Sequence, residues 1–135
     1  MNKKASEMMG EPVAAGVRLE AAELTREAVG WGTGKVLTGS DAEPASLPGG
    51  HEGIHYVAVG ATKVGFFSMK QGFFKNSLEE LLVEHPRSVV KAVEIEGGAM
   101  PKAHFVFEDG THYALMCPRM NLGALKAVRE LLVAE

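Results

Sequence analysis

The feature that most constrains this chain is a period-two alternation of apolar residues between positions 54 and 117. The runs "IHYVAVG" and "KVGFFSMKQG" are separated by "ATK", a spacing suited to an antiparallel hairpin. "LEELLVEHP" predicts a further strand that ends at Pro86, because proline has no N–H to donate to a ladder. "SVVKAVEIEGG" predicts the next strand, so the chain is expected to be mainly β.

The segment "AHFVFEDGTHYALMCP" predicts a hairpin whose register can be derived. A three-residue loop at positions 108–110, with Gly110 in the left-handed conformation, pairs Phe107 with Thr111 and Phe105 with Tyr113. A two-residue turn would divide the apolar side chains between two faces, and a slip by one residue exposes the aromatic set to water. The three-residue loop places five side chains on one face: Phe105, Phe107, Tyr113, Leu115 and Cys117.

The N-terminal end of the chain is expected to be disordered and the C-terminal end to be helical. Residues 1–10 have no apolar period and are predicted to be a disordered tail, followed by a single domain over residues 11–135. "EPVAAGVRL" predicts a first strand, "EAAELTREAVGW" a short helix, and residues 38–53 a glycine- and proline-rich loop. After Pro118, apolar residues recur at helical spacing and predict an amphipathic C-terminal helix: Leu122, Leu125, Val128 and Leu132.

Composition excludes several classes of protein. A length of 135 residues, 46% of them hydrophobic, matches one globular domain. The net charge of −3 argues against a nucleic-acid partner and against attraction to anionic lipid. The single cysteine excludes an internal disulfide, and no apolar run reaches signal or membrane length. We therefore expect a cytoplasmic protein without stable membrane insertion.

Residues 55–135 resemble the bacterial PH-like domains in the order of their motifs: strand, "T-x-x", strand, then "F-x-D-G", strand, "C-P-R" and helix. The resemblance implies a strongly bent antiparallel sheet of about seven strands, a partly open barrel capped by the C-terminal helix, with "EPVAAGVRL" as first strand. It implies no particular activity. At residues 60–63, "GATK" replaces the family's more usual "T-D-R-R", so fewer basic side chains are present and phosphoinositide binding is not expected.

Residues 51–55, "HEGIH", match the H-E-x-x-H signature of zinc hydrolases, in which two histidines one helical turn apart bind the metal. Here glycines precede and interrupt the motif, and "IHYVAV" alternates like a strand. In an extended strand His51 and His55 would lie about 13 Å apart, at roughly 3.3 Å per residue, which is too far for one ion. We expect no metal and no cofactor; the alternative is a zinc-dependent hydrolase that uses His51, Glu52 and His55.

Other candidate motifs favour structural roles. "GWGTGK" lacks the first glycine and the final Ser or Thr of a phosphate-binding loop, because Val29 and Val36 occupy those positions. The hairpin register turns Cys117 inward and places His104 and His112 as diagonal neighbours on a solvated outer face. No nucleophile therefore meets a base, and we expect a protein without enzymatic activity.

The segment "GFFSMKQGFFKNS" carries the strongest binding hypothesis. Adjacent strand residues point to opposite faces, so one phenylalanine of each pair must face outward or be covered. Exposed rings interleaved with lysines would bind a protein partner, a second copy or, weakly, a membrane surface. The alternative is that the N-terminal segment folds over the rings. The predicted binding residues are Phe66, Phe67, Lys70, Phe73 and Phe74, together with Trp31, which is either a core residue or a docking residue.

Overall fold

The computed structural model describes residues 1–21, 53–71 and 76–133. In this part of the chain the elements follow one another as α1 (Asn2–Met9), β1 (Val13–Ala21), β2 (Ile54–Gly60), β3 (Lys63–Gln71), β4 (Asn76–Pro86), β5 (Val90–Glu96), β6 (Lys102–Phe107), β7 (His112–Met116) and α2 (Leu122–Val133). Short 3₁₀ turns, Arg87–Val89 and Arg119–Asn121, precede β5 and α2. The mainly β class predicted from the sequence is confirmed.

The seven strands form one antiparallel sheet in the order β4-β3-β2-β1-β7-β6-β5. The edge strands β4 and β5 are consecutive in the chain and are joined by only three residues, Arg87–Val89. Because so short a connection must bring opposite edges of the sheet together, the sheet is bent. It is not closed, since β4 and β5 form no ladder with each other among the described residues. This architecture is consistent with a partly open barrel.

The predicted strands lie where the sequence placed them, and the β6–β7 hairpin has the predicted register. Phe105 pairs with Tyr113, and the N–H of Phe107 donates to the carbonyl of Thr111 (2.9 Å). Gly110 has φ +94°, the left-handed conformation that the three-residue loop requires. The helix predicted over residues 20–31 lies outside the described residues except for Glu20 and Ala21, which belong to β1.

The inner face of the bent sheet holds the main core, here called the inner core. It contains side chains from all the strands and is completed by Leu125, Val128 and Leu132 of α2. The five side chains that the hairpin register placed on one face all belong to it. The amide of Asn121 donates to the carbonyl of Arg18 (2.9 Å), and the guanidinium of Arg87 donates to the carbonyl of Leu131 (2.6 Å), so both ends of α2 are attached to the sheet.

A second cluster lies on the outer face, where α1 covers β2, β3 and β4. We call the sheet side of this cluster the outer groove, formed by Tyr56, Ala58, Phe67, Met69 and Leu78. Ala5 and Met9 of α1, one helical turn apart, are buried in it. Residues 2–9 are therefore helical, whereas the sequence predicted a disordered tail. The prediction missed the helix because only two of its side chains are buried, which is too few to produce an apolar period.

Neither helix in the described part of the chain combines the length and the apolar character that crossing a bilayer requires.

Candidate functional site

Phe66 is one of the predicted binding residues, and it lies inside the protein. Its side chain is fully buried in the inner core. The ring meets those of Phe105 and Tyr113 edge-on, with 5.3 and 5.1 Å between ring centroids. Because a ring in this position has no access to a partner, Phe66 is not part of an exposed aromatic edge.

Phe67 points to the opposite face of β3, as strand alternation requires, but it is also fully buried. It lies in the outer groove, beneath the buried side chains of Ala5 and Met9 of α1. The alternative interpretation, in which the N-terminal segment covers the ring, therefore applies at Phe67. This residue too is unavailable to a partner while α1 is docked.

Of the remaining predicted binding residues, Lys70 lies within the described part of the chain. Lys70 is exposed and pairs with Ser77, and the ladder continues to the pair Gln71 and Asn76. Phe73 and Phe74 fall in the four-residue connection that follows this last pair and lie outside the described residues. Trp31 also lies outside them.

The H-E-x-x-H motif does not form a helix over its described residues. Strand β2 begins at Ile54, and His55 within it is fully buried, with Nδ1 3.3 Å from the carbonyl oxygen of Phe67. His51 and Glu52 lie outside the described residues. Across residues 1–21, 53–71 and 76–133, no three His, Cys, Asp or Glu side chains are arranged to bind a metal ion.

Three polar side chains form a line on the outer face of β5, β6 and β7. His104 Nδ1 lies 3.0 Å from His112 Nε2, and His104 Nε2 lies 3.5 Å from a carboxylate oxygen of Glu96. The histidines are diagonal neighbours as predicted, but the prediction that they are solvated was wrong, because both are buried. Burial, followed by the nearby positive charges of His112 and Lys102, lowers the pKa of His104 to about 4.

These three side chains lie in a row and do not converge on one point. The partners of His104 lie on opposite sides of its ring, so His112 and Glu96 cannot converge on one ion. With its pKa near 4, His104 is neutral at physiological pH. A neutral imidazole has one ring nitrogen that donates and one that accepts, so His104 can pair with His112.

His85 and Tyr113 form a second polar contact, which is partly buried and which the sequence did not reveal. His85 Nε2 lies 2.9 Å from the hydroxyl of Tyr113, and the imidazole stacks on Phe107 with 4.1 Å between ring centroids. Burial lowers the pKa of His85, and the carboxylate of Asp109 opposes this effect. The contact joins an edge strand, β4, to the opposite half of the sheet. Nothing in the local sequence around His85 predicts such a partner.

The N-terminal segment is attached by polar contacts as well as by burial. The carboxylate of Glu11 accepts hydrogen bonds from the N–H and hydroxyl of Thr62 (2.8 and 2.7 Å) and from the N–H of Lys63 (3.1 Å). These bonds, those from Thr62 first, lower the pKa of Glu11. Lys63 Nζ donates to the carbonyl of Met9 at the end of α1 (3.0 Å), and the hydroxyl of Tyr56 donates to the side chain of Asn2.

Two glycines within strands make room for this attachment. A Cβ on Gly16 would lie 2.2 Å from the hydroxyl oxygen of Tyr56, and one on Gly65 would lie 3.0 Å from the sulfur of Met9. Glycine inside a strand often marks a close approach by another element. These two glycines are therefore the sequence signal from which a covering segment could have been inferred.

Cys117 is buried in the inner core, and burial raises the pKa of its thiol. A raised thiol pKa lowers the population of the reactive thiolate. The inward orientation predicted for this residue is confirmed.

Comparisons with known proteins do not assign the chain to a family. No protein-family model, no curated protein and no solved structure matches it. The resemblance of residues 55–135 to the bacterial PH-like domains therefore stays a prediction.

Proposed function

We propose that this chain is a non-enzymatic binding module with a PH-like fold. The strand order β4-β3-β2-β1-β7-β6-β5 and the C-terminal helix packed on the inner core support the fold. The absence of enzymatic activity is supported by the positions of the chemically versatile side chains in the described residues. His55, His104, His112 and Cys117 are buried, and the partly exposed His85 is hydrogen-bonded to Tyr113.

The module binds a protein partner, or a second copy, through the far end of the β3–β4 hairpin. The observation that carries this proposal is the pairing of Gln71 with Asn76, which leaves four residues to connect the two strands. This connection contains Phe73 and Phe74 and follows the exposed Lys70. The composition of this connection supports the proposal, because aromatic residues are the usual anchors of protein interfaces.

The test is a capture experiment with purified full-length protein as bait in lysate of the source cells, together with sedimentation velocity of the protein alone. Phe73→Asp should abolish capture of the partner, or dissociate the dimer if the partner is a second copy. Met120→Asp is the matched control, because Met120 is 83% exposed and belongs to the turn before α2. Capture that survives Phe73→Asp and Phe74→Asp would refute the proposed surface.

The proposed location is the cytoplasm, because the chain has a single cysteine, and the net charge of −3 argues against a nucleic-acid partner. No cofactor is proposed. The alternative function, a zinc hydrolase, is not favoured, because His55 lies on a strand and is directed towards the carbonyl of Phe67. Elemental analysis of untagged protein distinguishes the binding module from the hydrolase: stoichiometric zinc that is lost in His55→Ala would support the hydrolase.

A further inference from the structure

The N-terminal helix α1 does not contribute to the inner core. Its two buried side chains, Ala5 and Met9, both lie in the outer cluster. Among the described residues, the inner core contains no side chain of α1. An isolated helix of eight residues is marginal in water, so α1 depends on the outer groove while the inner core does not depend on α1.

The outer groove is specific for the segment that occupies it. The hydroxyl of Tyr56 donates to the side chain of Asn2, and Gly65 leaves space for the side chain of Met9. A segment that makes both contacts presents the same two residues at the same spacing. A second copy of this chain carries an identical segment.

The connection between α1 and β1 consists of residues 10–12 and has a single point of articulation. Pro12 has a fixed φ, and it disfavours the helical conformation at Glu11. Gly10 has φ +75° and ψ +20°, a left-handed conformation that folds α1 back onto the sheet. Because glycine adopts extended conformations equally well, rotation at Gly10 alone can direct α1 away from its own sheet. Exchange of an identical element between copies is a low-cost route to a dimer, because the element makes the same contacts in both forms.

We propose that α1 exchanges between two copies of this chain, each helix docking in the outer groove of the other copy. The exchange preserves every contact between α1 and the groove and changes only the conformation at Gly10. The resulting dimer is symmetric, since each copy gives and receives the same element. This surface is separate from the hairpin end to which the proposed function assigns the partner.

The decisive variant is Gly10→Ala, measured by sedimentation velocity from about 10 µM to about 500 µM protein. A Cβ at Gly10 meets no atom within 4 Å, so alanine acts only through the positive φ of the folded-back hinge. Alanine in the left-handed conformation of the monomer costs about 1–2 kcal/mol, whereas alanine in the extended hinge of the dimer has no such cost. The dimer dissociation constant should therefore fall by roughly tenfold or more. Gly110→Ala is the matched control, because Gly110 also has positive φ and open space but lies in the β6–β7 turn.

Ala5→Asp tests the same proposal in the opposite direction. A carboxylate at this fully buried position prevents docking in either copy, so the dimer should dissociate while circular dichroism reports an intact sheet. Glu11→Ala should leave dimerisation unchanged, because Glu11 follows the hinge and keeps Thr62 and Lys63 of its own copy as partners in both forms.

Three results would overturn the proposal: Gly10→Ala that stays monomeric over the whole concentration range, a dimer that persists in Ala5→Asp, or loss of the sheet in Ala5→Asp. Phe73→Asp separates this proposal from the proposed function. A dimer formed by exchange of α1 is unaffected by Phe73→Asp, whereas a dimer formed through the hairpin end is insensitive to Ala5→Asp.

Discussion

The imidazole of His85 and the hydroxyl of Tyr113 lie 2.9 Å apart, although they belong to strands separated by three others in the sheet order. The contact is possible only because the sheet bends until its edge strand β4 reaches the interior side of β7. It therefore reports directly on the curvature of the sheet. Phe66, which contacts both rings, fills the space between the two halves.

Replacement of Tyr113 by Phe should remove the hydrogen bond to His85 and lower the free energy of unfolding by about 0.5–1.5 kcal/mol. Urea denaturation of Tyr113→Phe, His85→Phe and the double variant gives the coupling energy between the two side chains. A coupling energy near zero would show that the two groups do not interact in solution.

Truncation of the two adjacent phenylalanines should have different consequences. Phe66→Ala should lower the free energy of unfolding by about 3–5 kcal/mol, because a cavity forms among Phe105, Phe107 and Tyr113 of the inner core. Phe67→Ala should mainly accelerate hydrogen exchange in α1, since its ring lies in the outer groove. Equal global destabilisation without a change in α1 would contradict the division into two clusters. Lys70→Ala, at an exposed position, is the control.

The free energy of unfolding should decrease as the pH is lowered, because His104 becomes protonated. Its pKa is about 4 in the folded chain and about 6.5 when unfolded, so between these values the unfolded chain binds a proton that the folded chain does not. Stability contributed by the neutral imidazole is complete above about pH 6.5, and it decreases by at most about 1.4 kcal/mol per pH unit until about pH 4. His85, whose pKa is also lowered, adds to the same trend.

Urea denaturation at several pH values tests this dependence. His104→Gln should flatten the decrease in stability between neutral pH and about pH 4, because the variant has no group to protonate at this position. An unchanged slope in His104→Gln would assign the acid sensitivity to other groups.

Substitution of Gly16 by Ala should detach α1. The added Cβ would displace the hydroxyl of Tyr56 and with it the hydrogen bond to Asn2, at a cost of about 1–3 kcal/mol. Faster hydrogen exchange in α1 and a lower Tm are the expected observations. Gly97→Ala, where a Cβ meets no atom within 4 Å, is the control. A Gly16→Ala protein with fully protected α1 would show that Tyr56 does not hold the helix.

The sequence by itself determined the elements whose signals are local. The alternation of apolar residues predicted β2 to β7, and the grouping of Phe105, Phe107 and Tyr113 selected the register of the β6–β7 hairpin. The helical spacing of Leu125, Val128 and Leu132 likewise identified α2 and its buried face. These predictions succeed because side-chain direction within one element follows from the backbone period alone.

Only the tertiary structure decided which faces of those elements are covered. The alternation required one of Phe66 and Phe67 to face outward or be covered, and it placed His104 and His112 on the outer face. Phe67 and both histidines are buried. The helix α1 likewise has no strong signal of its own and forms where the outer groove receives Ala5 and Met9. Burial depends on contacts between elements far apart in the chain, and a periodic pattern contains no information about which distant element will supply them.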